Sequence, residues 1–115
     1  MKEFKKELAE LKHFLNGSSD QRRKVTMILK LKEKFDEFSY VRLKQVCLAL
    51  CFLLKTAACP LDVQEGCVKI TVTIPAVVAE DVFPFSPAMS KAFKKAFPTL
   101  ISVSYGRLVE IFEVS

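Results

Sequence analysis

Cys47, Cys51, Cys59 and Cys67 are the residues of this chain best suited to chemistry, as thiolate nucleophiles, metal ligands or disulfide partners. Two of them, Cys47 and Cys51, fall within the apolar run VCLALCFLL, where a thiol behaves as a small hydrophobe. A Cys59 to Cys67 bridge across the intervening loop is the one pairing worth checking. Zinc needs three or four ligands at suitable spacing, whereas this chain has no CxxC pair and a single histidine, His13. No metal site is expected, and none of the cysteines has an evident base to activate it.

The tandem acids Asp36-Glu37 and Glu80-Asp81 are adjacent in sequence, so on a helix they diverge and cannot share a proton as an acid/base pair. With only three glycines and no GxGxxG or GxxxxGK[ST] string, no phosphate-cradling loop is recognisable and no cofactor is expected. The sequence therefore reads as non-enzymatic.

Basic residues offer a different chemistry. Thirteen of the eighteen Lys and Arg, but only seven of the thirteen acids, lie in residues 1–55. Arg22, Arg23, Lys24, Lys30 and Lys34 are the candidates for contacting the phosphates of RNA, DNA or another anionic surface. Interspersed acids such as Glu33 dilute that feature, and a solvated helix face is the simpler account of it.

Apolar surplus points to contact with protein. Half of the 115 residues are apolar and ten are phenylalanine, and the mean hydropathy is positive, which is high for a small domain with much surface to cover. Phe83 and Phe85 flank a proline between elements, where a polar loop is usual. Val109 and Ile111 lie in LVEIFEV, a terminal strand apolar on both faces and so either central or a pairing edge. These four are the protein-interface candidates.

Periodicity supplies the elements that must position these residues. Phe4, Leu8, Leu11 and Leu15 form one stripe of a first helix over residues 2–15. Ser18 and Gln21 have the capping-box form, predicting a second helix whose apolar residues Val25, Met27, Ile28, Leu29, Leu31, Phe35 and Phe38 cover about half its circumference. Ser39 caps a third from Tyr40 to Ala58, expected to be fully buried because its middle has no polar side. LDVQEG reads as a loop, Cys67 to Ile74 alternates as a strand, Ser86-Pro87 opens a further helix, and Gly106-Arg107 joins two terminal strands in a tight hairpin.

The expected fold is thus a single α+β domain over residues 1–115, of order ααα-β-α-ββ, with three N-terminal helices packed on a three-stranded sheet. The longest apolar run is too short to cross a membrane and the N-terminus has no secretory pattern, so an intracellular site, cytoplasmic or nuclear, is expected. The preferred function is a protein–protein interaction, adaptor or assembly domain, self-association included. The alternative is a nucleic-acid or anionic-surface binder acting through the basic N-terminal segments.

Overall fold

A computed structural model of the protein describes residues 5–15 and 23–112. The capping box at Ser18 and the candidate Arg22 lie outside them. Helix α1 spans Lys5–Leu15, and the chain then forms β1 (Lys24–Lys34), a 3₁₀ turn (Phe35–Glu37), α2 (Tyr40–Leu54), β2 (Cys59–Gln64), β3 (Cys67–Pro75), α3 (Ala76–Val82), α4 (Pro87–Ala96), β4 (Leu100–Tyr105) and β5 (Leu108–Ile111). The class is α+β, but the order ααα-β-α-ββ and the three-stranded sheet are overturned by four helices and a five-stranded sheet, ordered β2-β3-β1-β4-β5. All neighbouring strands are antiparallel.

The largest correction concerns residues 24–34, expected as a helix and found as the central strand. Met27, Leu29 and Leu31 are fully buried and alternate with Thr26, Ile28 and Lys30, a period of two rather than 3.6. An apolar arc covering half a helix results when a two-residue repeat is plotted on a helical wheel. The second correction is β2, Cys59–Gln64, a strand that takes up most of the expected loop LDVQEG, while α2 ends at Leu54 rather than Ala58. Pro60 lacks an amide hydrogen and Asp62 is a poor strand former, yet both are tolerated because β2 is an edge, with an irregular register between them. Gly66, at φ 92°, turns the chain from β2 into β3, and Gly106, at φ 59°, does so between β4 and β5.

Alternation gives the sheet two unlike faces. The inner face presents Met27, Leu29 and Leu31 from β1, Val68, Ile70, Val72 and Ile74 from β3, and Val103 from β4, all fully buried. Against it lie Leu43, Val46, Cys47 and Leu50 of α2, Ala79 of α3 and Phe93 of α4, within one continuous core. Truncating any of these large side chains to alanine removes about 2–5 kcal/mol. The Ser39 hydroxyl accepts a hydrogen bond from the Arg42 amide at the start of α2, and the Ser86 hydroxyl accepts one from the Met89 amide at the start of α4, behind Pro87.

Helix α2 is not fully buried, contrary to expectation. Val41, Leu48 and Phe52 are exposed on its outer side. The segment expected to wrap that side is β1, which instead lies beneath the helix as part of the sheet. A single helical layer can bury only the inward half of an all-apolar helix.

Candidate interaction surfaces

Helix α2 is oriented by one polar anchor. Glu33, near the end of β1, accepts hydrogen bonds from Arg42 Nε at 3.0 Å and Nη2 at 2.8 Å, and a third from the Thr99 hydroxyl. The bidentate Arg42 holds the Glu33 carboxyl below its ordinary range, with Thr99 adding to the effect and partial burial opposing it. Arg42 is correspondingly raised by Glu33. The anchor fastens the first turn of α2 to β1 and to the α4–β4 connection. Leu43, Val46 and Leu50 then face the sheet, and Val41, Leu48 and Phe52 face away.

Phe52 is 83% exposed, with Leu48 one turn before it and Val41 two turns before that. Beside this stripe, Ala49, Phe52 and Leu53 of α2 and Ala92, Lys95 and Ala96 of α4 line an open groove of about 480 Å³. Leu53 also lines a second depression, shared with Val77, Val78, Asp81 and Met89, so the apolar surface continues toward α3. The charged residues within α2 and α4 are all basic. No acid occurs between Glu37 and Asp62 or between Asp81 and Glu110, whereas Lys44, Lys55, Lys91, Lys94 and Lys95 fall in those stretches. The expected interface set omitted Phe52, Leu48 and Val41, because an all-round apolar helix was read as interior. The missing acids on either side were the available signal.

The four expected interface residues separate. Phe83 is only 5% exposed, its ring 4.9 Å from that of Phe85 and 5.6 Å from that of Tyr105, so it is part of the interior. Phe85 is half-buried, its ring packed at 4.7 Å on Phe93 and its amide donating to the Glu110 carboxylate at 3.3 Å. Val109 and Ile111 are exposed on β5, which is an edge strand.

The basic candidates are not gathered into one patch. Lys24 and Lys34 stand at opposite ends of β1, roughly 33 Å apart along an extended strand. Arg23 faces Glu80 of α3 at 3.5 Å, both side chains well exposed. Only Lys30 lies mid-sheet, paired in register with Lys69 on one side and Ser102 on the other. That neighbourhood is the centre of the outer face of the sheet, where Ile28, Lys30, Gln64, Lys69, Thr71, Ser102, Ser104 and Val109 line a depression of about 320 Å³.

None of the four cysteines forms a disulfide, so Cys59 and Cys67 are not bridged. Burial pushes the Cys47 thiol up to about 12, with Cys51 and Cys59 nearby adding to the shift, which leaves it protonated and unreactive at neutral pH. His13 is exposed on α1. Among the described residues no three His, Cys, Asp or Glu converge to hold a metal ion, and no helix is long and apolar enough to cross a membrane. In comparisons with known proteins, the chain matches no family model, no curated protein and no solved structure.

Proposed function

We propose that this chain is a protein-interaction domain, without catalytic chemistry of its own, that docks an acidic amphipathic helix of a partner protein along the α2–α4 surface. The observation that carries this reading is Phe52, a phenylalanine 83% exposed where the apolar stripe of α2 meets the α2–α4 groove. Large aromatic side chains in such positions are the usual energetic anchors of interfaces. An apolar groove between two helices is the form that accepts the i, i+3, i+4, i+7 face of a third.

Charge selects the kind of occupant. Lys95 lines the groove, and Lys44, Lys55 and Lys91 lie within one turn of residues of the stripe or groove on α2 and α4. Neither helix contributes an acid, and among the described residues Asp81 at the α3 side is the one carboxylate lining the adjoining depression. Glutamates flanking an incoming apolar stripe meet a complementary field. A second copy docked face to face would oppose lysine to lysine, so the partner is a different polypeptide.

The test uses two labelled synthetic helices sharing one Leu-based stripe, one flanked by Glu and the other by Lys, titrated by fluorescence anisotropy. The acidic helix is expected to bind and the basic one not. Phe52→Ala should weaken the acidic helix by about 30-fold, the loss of an anchor worth roughly 2 kcal/mol. Equal binding of both helices, or indifference to Phe52→Ala, overturns the reading.

A further inference from the structure

The outer face of the sheet carries a second, chemically different feature. Alternation turns Ile28 and Lys30 of β1 away from the core, and the register sets Lys69 directly opposite Lys30 and Thr71 directly opposite Ile28 on β3. On the other flank Ser104 lies opposite Ile28 and Ser102 opposite Lys30, both on β4. Beyond these, Gln64 of β2 is level with Lys69, and Val109 of β5 is level with Ser104. All eight line the one shallow depression.

Two ammonium groups, three hydroxyls and an amide line it, and among the described residues no carboxylate does. Glu33 is engaged with Arg42, and Glu110 accepts from Phe85 on the opposite face. Asp62, level with Thr71, is the closest acid by register on the outer face. Like charges directly opposite one another on a sheet repel. An anion bridging Lys30 and Lys69 removes that cost and gains charge-assisted hydrogen bonds, while the hydroxyls supply further donors.

We infer that this depression binds a phosphorylated small molecule, its phosphoryl group between Lys30 and Lys69 and its apolar part on Ile28 and Val109. The volume suits a compact ligand. Among the described residues no aromatic side chain lines the depression, and single-stranded nucleic acids use such rings as stacking platforms. The site lies on the sheet face opposite α2 and α4, and it stands independently of the helix-docking surface.

Inorganic phosphate, inorganic pyrophosphate and n-butyl phosphate are the probes, titrated at low ionic strength and followed by amide chemical shifts. Saturable shifts centred on residues 28–30, 69–71 and 102–104 are expected. Lys30→Gln and Lys69→Gln should each weaken pyrophosphate at least tenfold, whereas Lys5→Gln on α1 should not. Butyl phosphate should bind more tightly than inorganic phosphate, and Val109→Ser should erase the difference. Thermal unfolding of each variant checks that it is folded, as expected where a repelling charge is removed. The proposal is overturned by an absence of saturable binding, by pyrophosphate binding that ignores both lysine substitutions, or by an oligouridine that binds through these lysines while pyrophosphate does not.

Discussion

Glu33 concentrates the electrostatics of the fold in one side chain. Its carboxylate accepts three hydrogen bonds, and its folded pKa lies below the unfolded value of about 4.3 because Arg42 and Thr99 favour the charged form. A depressed carboxylate stabilises the folded state fully above its unfolded pKa, and that contribution is lost as the pH falls through the folded one. Glu33→Gln is therefore expected to cost about 1–3 kcal/mol at pH 7, with the deficit against wild type shrinking toward pH 3. Urea unfolding of both proteins at the two pH values measures it, and a pH-independent difference would remove the carboxylate from the account. None of this was visible beforehand, because Glu33, Arg42 and Thr99 are brought together only by the sheet and the start of α2. Ser39 and Ser86 were legible as caps, since each acts within three residues of itself.

Strand β1 shows where local pattern misleads at the level of elements. In KVTMILKLKEK the apolar residues satisfy a helical arc and a two-residue alternation at once, and the pairing partners that decide between them lie at residues 67–75 and 100–104. Val25, Thr26 and Ile28 favoured the strand. Strand β3 was readable because its alternation is unbroken, whereas β2 was hidden by Pro60 and Asp62. The two edges of the sheet also differ. Strand β2 has a proline, an aspartate and a register irregularity, which discourage further pairing, whereas β5 exposes Leu108, Val109 and Ile111 with shortness as its main protection. Val109→Lys is accordingly expected to slow aggregation on mild heating while shifting stability by no more than about 0.5 kcal/mol. Light scattering and thermal unfolding, run side by side, check both halves of that expectation.

For the molecule as a whole, apolar character is divided between an interior and an uncovered helical side. Half of the chain is apolar, and the rule that such residues go inside accounts for the buried Phe93 and Phe97 but not for Phe52. The failure is one of layer count: a three-layer arrangement would have enclosed α2, and the sheet with one layer of helices does not. Phe93→Ala should lower stability by about 3–5 kcal/mol, while Phe52→Ala should change it by less than about 0.5 kcal/mol. Chemical denaturation separates the two. A large loss for Phe52→Ala would mean that its ring supports the fold rather than standing ready for a partner.

The position of β1 also governs how the chain can assemble. Among the described residues the first strand in chain order is the middle one of the sheet, and its register joins Lys24 to Pro75 and Ile28 to Ser104, contacts spanning much of the sequence. Its seat is complete on both flanks only after β4 has been synthesised, so the nascent segment must wait with its alternating apolar residues unsheltered. Such long loop closures slow the folding search and lengthen the interval in which those residues stay exposed.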